Sequence, residues 1–196
     1  WEVPVVEGLN KIPTSDEIKH FGAAMASYGS TPLFHLVGIT PEAQNLPDCG
    51  GDKCRTETIT ADDIEQLGVG FSGRGDTLDV VVFAAPQLSI VEMQQLAALC
   101  RGATFKVPVI VCTAPQVIGD ARRMGFSAQI EAAGGTILEG TCFYNQYARE
   151  ISEANGWVRL LSNSAKIVNI LGGYGYKPAL ASMENCVLSA IEGVIQ

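Results

Sequence analysis

The chain has 196 residues, of which 47% are hydrophobic and 17% charged, a composition that belongs to a packed globular protein and excludes a disordered one. Thirteen basic against 21 acidic residues leave a formal net charge of -8, so non-specific nucleic-acid binding, which needs a basic surface, is disfavoured. The longest apolar runs, at 80–86 and 107–112, are far too short to cross a bilayer, and no membrane span is expected.

The predicted elements follow in chain order. Thr14 and Glu17 fit a capping box that opens a helix carrying Ile18, Phe21 and Met25. Residues 33–37 read as a strand and 38–47 as a loop. The polar stretch 44–58, with two glycines and two cysteines, reads as exposed loop. The β-branched run at 78–84 is a stronger strand, ending at Pro86. Ser89 and Glu92 form a second capping box, for a helix running to about Cys100 with Ile90, Met93, Leu96 and Ala97 on one stripe. A strand at 107–112 leads to Thr113, which is expected to cap a helix with Pro115 in its first turn.

A short helix at 127–133, stopped by Gly134 and Gly135, precedes a strand at 136–139. Strand 157–161 is followed by a helix over 162–171 and a brief strand at 178–181. Ser182 then caps a last helix striped by Met183, Val187, Ala190, Ile191 and Val194. This alternation predicts an α/β fold, a mainly parallel sheet flanked by helices with right-handed crossovers.

Ligands of open parallel sheets bind at the carboxyl ends of the strands. Here those ends are 38–42, 86–89, 112–113, 141–142 and 162–166, a rim rich in Ser, Thr and Cys with one lysine. Thr40 is suited to donate to a carboxylate or phosphate and Glu42 to orient a ligand or a base, although 38–43 reads equally as a turn. Ser162, Ser164 and Lys166 would converge on an anion at a helix start; alternatively Ser162 is only an N-cap and Lys166 only exposed. Cys142 follows a strand end and Cys186 falls in a helical first turn, where thiolates are favoured. On spacing alone both read as small buried residues, and so do Cys100 and Cys112. Cys49-x4-Cys54 by itself is a weak metal signature. His20 and His35 read as structural, and no zinc-hydrolase, Walker or dinucleotide motif is present. Six dispersed cysteines and the absence of a signal-peptide pattern after Trp1 lead to the expectation of a reducing, cytoplasmic setting.

Taken together, the strand-end segments resemble the aconitase X family. Phe34-His35-Leu36-Val37-Gly38-Ile39-Thr40-Pro41-Glu42-Ala43 is similar to one of its hallmarks. The Ala85-Pro86-Gln87-Leu88-Ser89-Ile90-Val91-Glu92 stretch looks like its Pro-His-x-Ser-x-x-Glu segment. Gly134-Gly135 with Thr141-Cys142, then Ser162-Asn163-Ser164-Ala165-Lys166, and then Cys186-Val187 resemble its later segments in the same order.

The resemblance implies a hydro-lyase that carries an iron–sulfur cluster and dehydrates a small hydroxy acid. One branch acts on cis-3-hydroxy-L-proline, toward which the wording leans, and another on mevalonate 5-phosphate. By match, Cys142 and Cys186 are cluster ligands, and Ser164 and Lys166 are catalytic, holding or polarising the substrate carboxylate. Gly38, Thr40, Glu42, Ser89 and Ser162 are substrate-binding. Residues 1–196 then correspond to the C-terminal half of the catalytic region. A third thiolate would come from the N-terminal half and a serine base from a swivel domain, either fused or a separate subunit. Two departures remove proton donors: Gln87 where the family has His, and Asn169-Ile170 where it has His–Tyr. The other readings are a mevalonate 5-phosphate dehydratase, or a non-catalytic α/β member or fragment that binds a ligand or partner.

Overall fold

The computed structural model describes residues 3–51, 55–70 and 73–196. The chain divides into two compact units, Trp1–Gln66 and Leu67–Gln196.

In the first unit, β1 (Val5–Val6) pairs in parallel with β2 (His35–Leu36). The second strand is shorter than the expected 33–37. The helix α1 (Ser15–Gly29) starts on the expected box: Thr14 Oγ1 accepts from Glu17 N at 3.2 Å, and Glu17 accepts from Thr14 N at 2.8 Å. After β2 the chain makes a turn. Gly38, at φ 73, donates its N–H to Ala43 O at 2.8 Å. Among the described hydrophobic residues of this unit, Leu36 and Ala43 are the buried ones. A 3-10 turn at Leu46–Cys49 interrupts the expected loop. Cys54 lies outside the described residues, and so does any pairing of it with Cys49. The helix α2 (Ala61–Gly70), exposed at 61–68 and 70, adds to the predicted elements, and the division between the units falls within it in sequence.

The second unit is built on five parallel strands in the order β5-β4-β3-β6-β7. They are β3 (Val80–Leu88), β4 (Val109–Thr113), β5 (Gly135–Glu139), β6 (Arg159–Ser162) and β7 (Lys177–Leu180). The helices are α3 (Ile90–Leu99), α4 (Pro115–Arg123), α5 (Phe126–Ala132), α6 (Ala148–Asn155), α7 (Ala165–Leu171) and α8 (Met183–Glu192).

Successive side chains of β3 point to opposite faces, and each face has its own core. Val81 and Phe83 pack with Met93, Leu96, Ala121, Ile130, Cys186, Val187 and Ala190. Val80, Val82 and Ala84 pack with Cys112, Phe143, Ala148, Ile167, Leu171 and Tyr176. Burial on both faces is why β3 is a continuous β-branched run and not an alternating one. Gly135 is needed where α5 meets β5, because a Cβ there would lie 2.7 Å from the Ile130 side chain.

Three boundaries differ from expectation for physical reasons. β3 runs past Pro86 to Leu88, because pairing with β4 resumes at Leu88–Thr113 after an irregularity beyond Phe83. Thr113 is therefore the last residue of β4 and not a helix cap. Its hydroxyl donates to Leu88 O at 2.7 Å, and Ala114 takes the cap position before Pro115. Ser162 likewise ends β6, and α7 is capped by Ser164. Helix α6 was not anticipated; it starts after Tyr147, at φ 56, with no side-chain cap. Val194 lies beyond α8 and bridges Thr77.

Candidate functional site

The carboxyl ends of β3, β5 and β6 gather the polar residues of the second unit. The frame is made by hydroxyls bonded to main chain. Ser162 Oγ donates to Val82 O at 2.6 Å and accepts from Ser164 N at 3.1 Å. Ser164 Oγ donates to Ala85 O at 2.6 Å and accepts from Ile167 N at 3.3 Å. Both serines are buried, and each hydroxyl proton is committed to a carbonyl. Ser164 is thus a brace between the start of α7 and the bend of β3, where Ala85 has φ 45.

Above this frame sits Cys142, half-buried, in the segment that leaves β5. Gly140 makes the exit possible. It has φ 66, and its N–H donates to Thr113 O at 2.9 Å. Burial pushes the Cys142 thiol above its ordinary pKa. The backbone N–H of Tyr144, the Lys166 ammonium and the N–H groups of Phe143 and Ala85 oppose that rise by favouring the thiolate. Cys112 lies beside it in the core below, its thiol pushed up to about 12 by burial and by Cys142. Lys166, half-buried on the first turn of α7, acts on the Cys142 thiol through its charge. Thr141 Oγ1, next to Cys142 in sequence, and Asn163 Oδ1, between Ser162 and Ser164, are buried with no hydrogen-bond partner. Gln87 reaches this region too, its Nε2 donating to Thr141 O at 2.8 Å.

The remaining predicted residues lie elsewhere. Ser89 caps α3, accepting from Glu92 N at 3.1 Å while Glu92 accepts from Ser89 N at 2.8 Å. Cys186 is wholly buried in the core on the face of the sheet opposite to the one Cys142 packs on. Its thiol pKa is raised, first by burial and then by Glu184, and its Sγ faces Ala181 O at 3.9 Å, just past the end of β7. Gly38, Thr40 and Glu42 belong to the first unit. Thr40 Oγ1 accepts from Leu36 N at 3.1 Å and donates to Leu36 O at 3.2 Å, while Glu42 is exposed. Gly38 lines an open groove of about 480 Å³ with Glu7, Lys11 and Val37.

An iron–sulfur cluster needs thiolates, and the donor set fits one in part. Cys142 has backbone N–H donors at its sulfur, and the Lys166 charge also favours its thiolate. Cys186 is a neutral core thiol as it stands, although a bound cation would deprotonate a coordinating thiol. Among the described residues no three His, Cys, Asp or Glu side chains stand close enough to hold a metal ion. Thr141, Asn163 and Cys112 fall within the strand ends of the predicted rim, which gives them no role of their own. The unmet polar atoms of the first two have no signal in the sequence.

A parallel sheet with a cysteine and a lysine at its carboxyl edge is the arrangement of an α/β ligand site, and the comparisons define its class. Residues 1–67 match the family model "Aconitase X second domain" and residues 78–192 match "Aconitase X third domain". This chain belongs to the aconitase X family. Cis-3-hydroxy-L-proline dehydratase of Pseudomonas aeruginosa is 31% identical over 98% of the chain and 34% of its own length. The protein of the same name from Hypocrea jecorina is 32% identical over 97% of the chain and 33% of its own length. Phosphomevalonate dehydratase large subunit of Methanothermobacter thermautotrophicus is 33% identical over 82% of the chain and 39% of its own length. The crystal structure of Thermococcus kodakaraensis aconitase X (holo-form) superposes with a TM-score of 0.77 at 25% identity, covering 96% of this chain and 47% of that one. The chain thus spans one third to one half of the length of these relatives.

Proposed function

We propose that this chain forms part of a hydro-lyase that dehydrates a small hydroxy acid, with cis-3-hydroxy-L-proline as the favoured substrate. The observation that carries the reading is that Cys142 and Lys166 both lie at the carboxyl edge of the sheet, where the Lys166 charge favours the Cys142 thiolate, in a chain of this family. The two relatives named for cis-3-hydroxy-L-proline are 31% and 32% identical over 98% and 97% of the chain, against 28% over 96% for the Thermococcus kodakarensis phosphomevalonate dehydratase large subunit, which supports that substrate.

Dehydration needs a base at the acidic carbon and help for the leaving hydroxyl. Lys166 binds the substrate carboxylate and stabilises the negative charge that builds there as the carbon loses its proton. Thr141 Oγ1 and Asn163 Oδ1 have hydrogen-bonding capacity left for the polar groups of the substrate. Ser162 and Ser164 act by holding the main chain, and Ser89 by holding α3. In the first unit Gly38, Thr40 and Glu42 are proposed as substrate contacts, with the exposed Glu42 carboxylate as the open side chain.

Cys142 and Cys186 are proposed as thiolate ligands of an iron–sulfur cluster, which when bound supplies a Lewis acid for the leaving hydroxyl. The third ligand and the serine base are proposed to lie in an N-terminal half and a swivel domain outside this chain, whether fused or in a separate subunit. Among the described residues no helix is long and apolar enough to cross a membrane. The thiols of Cys100, Cys112, Cys142 and Cys186, none of them in a disulfide, support a reducing, cytoplasmic setting.

A second substrate, mevalonate 5-phosphate, is favoured by the Methanothermobacter relative. Anaerobic purification of the full-length protein followed by assay with both compounds separates the two. Turnover of cis-3-hydroxy-L-proline is expected. A protein free of iron and inactive on both would overturn the hydro-lyase reading in favour of a non-catalytic member.

A further inference from the structure

We propose that Gln87 is a positioning residue that holds the segment around Cys142 over the end of β3. Its consequence for cluster binding rests on the proposed ligand role of Cys142, but the hold itself is read from the geometry. The β3–β4 ladder is interrupted after Phe83 and resumes at Leu88. The half-buried Gln87 side chain leaves the sheet inside that interruption, and its Nε2 donates to Thr141 O at 2.8 Å.

Thr141 cannot hold the segment through its own side chain, because its hydroxyl has no partner. On one side the segment is tied at Gly140, whose N–H donates to Thr113 O. On the other it is tied by Phe143, buried in the core under α6 and α7. Cys142 lies between these anchors. The Gln87 bond acts on the peptide group that joins Thr141 to Cys142, and so sets where the sulfur stands against the Ala85 N–H and the Lys166 ammonium.

A carboxamide suits the task because it donates to a carbonyl without charge. A carboxylate would set oxygen against oxygen, and a thioether would donate nothing. An imidazole N–H can take over the bond.

The test compares Gln87→Met, Gln87→Glu and Gln87→His in the full-length protein by hydrogen exchange and by iron and sulfide content after anaerobic purification. In the Met and Glu variants, amides 141–145 should exchange about 5- to 30-fold faster, with those of β4 and β6 unchanged. Gln87→His should restore the parent rate. Parent-like exchange over 141–145 would overturn the proposal. Faster exchange throughout the second unit would overturn it too, since the role would then be general stability. Faster local exchange with unchanged iron would support the hold by Gln87 and count instead against Cys142 as a ligand.

Discussion

The Ser164 hydroxyl donates to the carbonyl of Ala85 at 2.6 Å while capping α7, so one oxygen ties the start of a helix to the bend of the central strand. Ser164→Ala removes both bonds and leaves a buried carbonyl unpartnered. A loss of about 2–3 kcal/mol is expected from the cap and the buried bond together. Urea unfolding of the full-length protein checks it. Unchanged stability would mean that the hydroxyl is not a brace.

Lys166→Met should behave in the opposite way. The side chain is half-buried at a rim and carries little packing, so stability should be near that of the parent. Loss of a charge-assisted contact of about 1.5–3 kcal/mol should lower kcat/KM by about one to two orders of magnitude. Lys106→Met is the control, because Lys106 is exposed and pairs with Glu192 at 3.7 Å. Equal kinetics of the two variants would remove Lys166 from the site.

Cys142→Ser and Cys186→Ser should each abolish iron and sulfide binding in the full-length protein, whereas Cys100→Ser should not, since Cys100 lies in the core at the end of α3. Residues 1–196 expressed alone should be colourless and inactive, because the described residues bring no three metal-binding side chains together. Stoichiometric iron in that preparation would overturn the division of ligands.

Alkaline pH should destabilise the second unit. Burial raises the Cys100 thiol to about 11, and burial together with Cys142 raises Cys112 to about 12. With the folded values raised, the unfolded chain loses these protons first. The stabilisation is complete below an ordinary thiol pKa of about 8.5 and is lost as pH rises toward the folded values. Urea midpoints between about pH 8 and about pH 10.5 should fall with pH, and less steeply in Cys100→Ala.

In the first unit, acid is the sensitive side. The Lys11 side chain, then the backbone and hydroxyl of Thr14, hold the Glu17 carboxyl at about 2. A depressed folded value means that stability is present above the ordinary carboxylate range and is lost as pH falls toward the folded value. An NMR titration of the Glu17 carboxyl in parent and Thr14→Ala should show the value rising toward the ordinary range in the variant. An unshifted midpoint would mean that the box does not hold the carboxylate.

What could be read from the chain alone was local. The boxes at Thr14–Glu17 and Ser89–Glu92 and the Ser182 cap stand where the sequence places them, because each joins residues three positions apart. The apolar runs place the parallel strands to within a few residues, and the order of strand-end motifs indicates the family. What only the tertiary structure decided joins residues far apart. Ser162 and Thr113 read as caps, yet their hydroxyls serve neighbouring strands at Val82 and Leu88. Cys142 and Cys186 look alike in sequence, but the sheet separates the cores they pack in. Gln87 reads as the loss of a histidine, whereas it bonds a carbonyl 54 positions away. A helix cap depends on the next three residues, while a hydroxyl, thiol or carboxamide at a strand end takes whatever partner the folded sheet brings beside it.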